Sequence, residues 1–316
     1  MIEKIKNNLN KLDRYYREAE EKLRYDGNKI NNFASIVYCN EDRELNYDLI
    51  KRIRKYIIKV TPWFSSFRGD SLNMLSILLS TEDEWQQTFE KINEWEESLR
   101  NEGLKESAYL AISSWVLAKC AGNRNKDIVI KRIVMFYSFM HKNYTNITSS
   151  DDYLVCILLA LTDISTEDYR VILDSALKDV KEKEYTTNNG AQSLVNVLAL
   201  DVDSYDENMN KTEQILVKSK EIGYALPTHY VSIAAAASMF IEDADKFVEE
   251  SRKSSEYLEQ FEEYTFYMDK SFRYVLSMIV VLGEYNVNKI ILNAVIAMCI
   301  SYELDGQAKS LLSSTI

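Results

Sequence analysis

Only two prolines and eight glycines occur in 316 residues. A protein of many short strands needs more positive-φ turns and rigid corners than that. The scarcity excludes a strand-rich fold and predicts an almost wholly helical chain. Histidine is equally scarce: with His141 and His229 alone, no His-Glu-x-x-His zinc site exists. A Ser-His-Asp triad would have to use one of these two, and no serine sits on a Gly-x-Ser-x-Gly elbow. The Gly-x-x-x-x-Gly-Lys-Ser/Thr loop that cradles phosphates and the Gly-x-Gly-x-x-Gly dinucleotide turn are both missing. The four cysteines, Cys39, Cys120, Cys156 and Cys299, are far apart and form no Cys-x-x-Cys pair. They read as buried thiols in a reducing cytoplasm. No metal and no cofactor is expected.

Long apolar runs are also lacking. None approaches the roughly 18 to 20 residues of a membrane span, and the start, Met1-Ile2-Glu3-Lys4-Ile5-Lys6, lacks the apolar stretch of a secretion signal. Positive charge is in deficit, 38 Lys plus Arg against 49 carboxylates for a net −11. Such a field opposes non-specific binding to nucleic acid or an anionic bilayer. The expectation is a cytoplasmic protein with neither nucleic acid nor membrane as partner.

Apolar residues, at 46%, are ample for a core, and they are arranged in a recurring unit. An apolar helix, a short capped turn and a charged amphipathic helix follow one another. Leu78-Leu79-Ser80-Thr81-Glu82-Asp83 returns as Thr162-Asp163-Ile164-Ser165-Thr166-Glu167-Asp168, each closing an apolar run and opening a polar one. The other junction, Glu102 to Tyr109, is echoed by Ile222 to Tyr230. Junctions after apolar helices fall near residues 80, 122, 165, 203, 242 and 283, steps of about forty that belong with two-helix solenoid repeats. The fold expected is all-α: a right-handed α-α superhelix of two-helix repeats with an N-terminal three-helix cap. The cap and joint take residues 1–70, the array 71–308 and a short tail 309–316.

Helices can be assigned to inner and outer layers by pattern. The stretch Glu82 to Asn101 puts Trp85, Phe89, Ile92, Trp95 and Leu99 on one stripe and is outer, with Thr81-x-x-Glu84 spaced as a capping box. Ser107 to Lys119 is apolar almost all round and so inner. Tyr153–Leu161, Ala191–Leu200, Tyr230–Phe240 and Phe272–Leu282 are inner in the same way. Glu167–Lys183, Met209–Ile222 and Glu242 to about Tyr267 are outer. Asp127–His141 is more apolar than the other outer helices and is expected to wedge deeper. The helix at Tyr47–Val60 carries Lys51, Arg52, Arg54, Lys55 and Lys59, which reads as a solvated face or a docking patch.

The most unusual segment is Thr61-Pro62-Trp63-Phe64-Ser65-Ser66-Phe67-Arg68-Gly69-Asp70. Pro62 disfavours helix at Thr61, and Gly69 interrupts the chain again seven residues on. Two readings stand. Trp63, Phe64 and Phe67 plug the joint while Arg68 caps helix carbonyls; or Arg68, Ser65 and Ser66 face a cleft and hold an anion. Trp63-Phe64-Ser65-Ser66-Phe67-Arg68-Gly69, with Leu75-Ser76-Ile77-Leu78-Leu79-Ser80 and Ser107-Ala108-Tyr109-Leu110-Ala111, resembles a family of uncharacterised bacterial all-helical proteins of about this length. The resemblance spans nearly the whole chain and implies no activity.

Two acidic segments invite chemistry and fall short. Asp201-Val202-Asp203-Ser204-Tyr205-Asp206-Glu207 lacks a calcium loop's glycine and its final glutamate, and reads as capping the next helix. Asp151-Asp152 continues as Tyr153-Leu154-Val155, without the further aspartate of an isoprenoid-synthase magnesium site. What remains is a polar and aromatic rim at the inner-helix starts: Ser107, Tyr109, Asp151, Asp152, Tyr153, Asn188, Asn189, Thr228, His229, Tyr230, Asp269 and Arg273. Orphan N–H groups gather there, so these residues are caps or a recognition surface.

The sequence therefore reads as a helical-repeat scaffold that binds a protein or peptide without catalysis. The alternative is a small-molecule binder or metal-free enzyme with a pocket near Arg68 as anion clamp and His229 as acid or base. The candidate binding residues are Trp63, Arg68, Tyr109, Asp152, Tyr153, His229, Tyr230 and Arg273.

Overall fold

The structure, a computed structural model, describes residues 3–183, 186–266, 268–285 and 287–314. Sixteen α-helices and no strand occur among the described residues. In order they are α1 Glu3–Lys22, α2 Asn28–Glu41, α3 Tyr47–Val60, α4 Asp70–Ser80, α5 Trp85–Asn101, α6 Ala108–Cys120, α7 Lys126–Asn143 and α8 Tyr153–Ala160. There follow α9 Thr166–Lys183, α10 Asn188–Leu198, α11 Tyr205–Glu221, α12 Val231–Ser238, α13 Ala244–Leu258, α14 Glu262–Phe266, α15 Lys270–Leu282 and α16 Lys289–Ser314. Single 3-10 turns precede α2, α8 and α12.

Local chemistry sets the starts. The Asn46 side chain accepts from Leu49 N at 3.0 Å, Ser107 from Leu110 N at 3.1 Å, Asn125 from Ile128 N at 3.2 Å and Asp269 from Phe272 N at 2.8 Å. Each satisfies an N–H that the helix itself leaves unpaired. Asp201 accepts from Ser204 N at 3.3 Å, a turn-capping role ahead of α11. The expected capping box at Thr81 and Glu84 is not formed. Thr81 Oγ1 instead donates back to Leu78 O at 2.8 Å, closing α4. The box spacing is realised, with an aspartate as the acid, at Ser149 and Asp152 and at Ser165 and Asp168.

The helices gather into two compact units. One holds Glu18–Asp163 and the stretch from Asn293 onward. In it α2, α4, α6 and α8 pack side by side in sequence, with α3 on α4, α5 on α6 and α7 on α8. The other holds the chain up to Arg17 and Ile164–Leu292. There α10, α12 and α15 form the row, α9 packs on α10, α11 on α12, and α13 on both α11 and α15. The row helices are buried on most sides, as α2 is from Ile30 to Tyr38 and α15 from Phe272 to Leu282. In α12 the Ala234-Ala235-Ala236-Ala237 run is buried, and small residues of this kind let neighbours approach closely. The flanking helices are amphipathic and bury one stripe, as α3 does with Ile50, Ile53 and Ile57.

Neither unit is a continuous piece of chain. The buried stripe of α1, Ile5, Leu9, Leu12 and Tyr16, belongs to the second unit. There Asn8 donates to Glu284 at 2.9 Å, the Tyr257 hydroxyl donates to Asn10 at 2.9 Å, and Tyr16 meets Tyr264 at 5.8 Å between ring centres. Most of α16 belongs to the first unit, where Lys29 pairs with Glu303 at 2.8 Å and Asn293 donates to Glu41 at 3.2 Å.

Some expectations change. Instead of wedging deeper, α7 packs one stripe (Val129, Ile133, Phe136, Met140) and leaves Ile128 and Met135 exposed. The single outer helix expected from Glu242 breaks after Leu258 into α13 and α14; its expected end, Tyr267, lies outside the described residues. The break turns Tyr264 inward and offers its carbonyl to the buried Arg273 at 2.8 Å. The last helix continues to Ser314, through residues expected as a tail.

Gly69 starts α4 at φ 61° and ψ −135°, a region that side-chain-bearing residues rarely enter. A Cβ there would touch nothing within 4 Å, so Gly69→Ala should act through backbone strain alone. A loss of about 1 to 3 kcal/mol is expected, read as a lowered urea midpoint at unchanged slope.

Candidate functional site

The nine residues between α3 and α4 are pinned from inside. Thr61 Oγ1 donates to Ile57 O at 2.7 Å, and Arg68 folds back over the end of α3. Its guanidinium donates to Thr61 Oγ1 at 2.5 Å, Thr61 O and Phe67 O at 2.8 Å, and Ile58 O at 3.3 Å. A planar fork of N–H donors suits carbonyls that the helix end leaves unpaired. Ser66 donates to the buried Glu96 carboxylate at 2.7 Å, and Ser71 donates to Ser66 O and Arg68 O. Phe67, 1% exposed, meets Phe89 edge-on at 5.3 Å. Trp63 and Phe64, by contrast, are 79% and 84% exposed. Of the three aromatics expected to plug the joint, only Phe67 does so, and Arg68 is the carbonyl cap.

In the same unit the helix starts at α6 and α8 are closed over. Tyr109 and Tyr153 are buried, and Lys105 N donates to the Tyr153 hydroxyl at 2.9 Å. Tyr137 packs edge-on against Tyr153 at 5.0 Å, and its hydroxyl pKa is pushed up by burial first and by Tyr153 next. Asp152 is buried and accepts from Ser149 N at 2.9 Å. The Lys105–Tyr153 bond ties the turn before α6 to the start of α8.

The second unit places its starts differently. Thr187, the cap of α10, reaches Thr228 at 3.4 Å between hydroxyl oxygens. His229 lies half-buried against Tyr230 at 4.1 Å, and Tyr230, itself buried, packs against Phe272 near the start of α15 at 5.9 Å. Lys270 stands 4.2 Å over the Tyr224 ring, which stacks on Tyr274 at 4.6 Å. A buried aromatic layer thus underlies an edge where Thr187, Asn188, Asn189 and Lys270 are exposed. Arg273 does not face that edge. It is buried, donates to Tyr264 O and pairs with Glu259 at 3.1 Å, tying down the break between α13 and α14.

The eight candidates therefore divide. Trp63, Arg68, Tyr109, Asp152 and Tyr153 belong to the first unit, and His229, Tyr230 and Arg273 to the second. The binding candidates read from the sequence omitted Phe64, expected only as part of the plug, and Lys270. Phe64 stood beside Trp63 in the same segment, and Lys270 immediately follows the cap Asp269. No helix among the described residues is long and apolar enough to cross a membrane.

No curated protein and no solved structure matches the chain. Residues 15–307 match the model of a family described as a protein of unknown function, DUF4003. An uncharacterised family is what the Trp63 to Gly69 segment and its companions implied. On a match of that extent, the chain belongs to the DUF4003 family.

Proposed function

We infer that the protein is a cytoplasmic scaffold without catalysis, a right-handed α-α superhelix of two-helix repeats of about forty residues, that holds a protein or peptide at the exposed edge of its second unit. Support for the repeat comes from the packing order: α2, α4, α6 and α8 form one row with α3, α5 and α7 on it, and α10, α12 and α15 another with α9, α11 and α13 on it. The observation that carries the binding reading is the Thr187–Thr228 contact at 3.4 Å. It sets two successive row-helix starts side by side, so that hydroxyls, the Asn188 and Asn189 amides and the Lys270 ammonium face outward over a firm aromatic layer. Such an edge offers hydrogen bonds to an extended backbone. A pocket enzyme using Arg68 as anion clamp gains no support, because four acceptors already occupy that guanidinium.

A photo-crosslinking residue at Asn189 tests the reading in cells. One dominant polypeptide adduct is expected, weakened when Lys270→Glu is added and absent from a control at the exposed Glu94. Adducts no richer at Asn189 than at Glu94 would overturn it. Native mass spectrometry showing instead a tightly retained molecule of a few hundred daltons would favour the pocket.

A further inference from the structure

We propose that α3 and the bend after it form a docking surface for an anionic lipid bilayer, a second site independent of the polar edge at Thr187 and Thr228. The polar face of α3 is cationic. Lys51, Arg52, Lys55 and Lys59 are exposed, and Arg52, Lys55 and Lys59 form no ion pair or hydrogen bond among the described residues. They span about 12 Å of helix at 1.5 Å per residue. The fifth basic residue is withdrawn: Arg54 faces inward onto Asp26 at 2.8 Å and 2.5 Å. Asp48 and Asp70 flank the strip along the chain, and α5, which packs beside it through Tyr56–Trp85 and Phe67–Phe89, carries the exposed Glu90 and Glu97.

Exposed apolar side chains follow at the C-terminal end of α3 and just beyond it. Ile58 and Val60 are 49% and 48% exposed, and Trp63 and Phe64, more exposed still, come next. The two rings sit on a bend held by Arg68, Ser66, Ser71 and the buried Phe67. They are presented by a fixed mount, and little conformational freedom is lost when they insert. A cationic face ending in Trp and Phe carries both signals that hold a protein at a lipid interface, attraction to headgroups and burial of amphipathic rings.

Two features favour a bilayer over an acidic protein. Among the described residues neither Trp63 nor Phe64 has a neighbouring ring, so a protein partner would have to bring its own socket, while a bilayer needs none. Lysine, three of the four exposed cations, is depleted at protein interfaces but suits headgroups through its long, mobile stem. Net charge does not forbid the contact. The −11 of the chain is not evenly spread, and beyond the roughly 8 to 10 Å reach of charges in physiological salt only the local face acts.

Co-sedimentation with vesicles tests this in the intact chain. Binding is expected to phosphatidylcholine containing about one-third phosphatidylglycerol, to weaken with added salt, and to be absent with pure phosphatidylcholine. Lys55→Ala with Lys59→Ala should weaken it roughly thirtyfold, and Trp63→Ala with Phe64→Ala should remove it, each variant keeping its helical circular dichroism. Trp63 emission should shift to the blue on the anionic vesicles, and Trp63→Phe should bind without that shift. Failure of the parent chain to bind anionic vesicles at low salt would overturn the proposal and leave an acidic protein as the occupant. So would full binding by the folded Trp63→Ala, Phe64→Ala variant.

Discussion

Phe67→Ala should lose about 3 to 5 kcal/mol of stability, the range for emptying a buried aromatic site. Trp63→Ala and Phe64→Ala, four and three residues away, should each change it by less than about 0.5 kcal/mol. Phe67 is enclosed, packed edge-on against Phe89, and lies beneath a bend whose hydrogen bonds run from Ser66 to Glu96 and from Arg68 to the end of α3. Removing the ring takes away its own burial and the floor of the bend. Urea unfolding of the three variants settles the matter. Equal losses at all three positions would mean that Trp63 and Phe64 are packed in solution and are not available to any partner.

Arg54→Leu should cost a comparable amount, about 3 to 5 kcal/mol, because it strands a carboxylate. The Arg54 guanidinium meets both oxygens of Asp26, at 2.8 Å and 2.5 Å, and its Nε donates to Ser76 Oγ at 2.9 Å. Both side chains are largely shielded from water, so no solvent replaces the lost partner. The double variant Asp26→Leu, Arg54→Leu removes the orphaned charge along with its mate and should recover most of the loss. A single variant within about 1 kcal/mol of the parent would show that the pair is solvated.

The layer to which a helix belongs could be read from the chain, because burial on all sides or on one side leaves a local pattern. Ser107 to Lys119 and the Ala234 run were legible as row helices for that reason, and α5 and α13 as flanking ones. The partner of a buried stripe leaves no such trace. Ile5, Leu9 and Leu12 announce that α1 buries a face, but nothing local says that its neighbours are residues near 257 to 284. The break after Leu258 was invisible for a related reason. It contains neither proline nor glycine and is held by Arg273, which donates to Tyr264 O and pairs with Glu259. In the joint, composition set three aromatics side by side without ranking them. Which ring went inward followed from where Arg68 and Ser66 found acceptors, and those lay on α3 and α5.

Because α1 completes a unit that otherwise begins at Ile164, synthesis on the ribosome imposes a wait. The first helix emerges with its greasy side unshielded and meets its permanent neighbours only when more than four-fifths of the polypeptide has been made, as the Asn8–Glu284 and Asn10–Tyr257 contacts require. Nascent chains translated at ordinary speed must therefore be guarded or held in a provisional arrangement meanwhile. Cutting the gene between codons 163 and 164 would yield two halves that each lack a structural strut carried by the other.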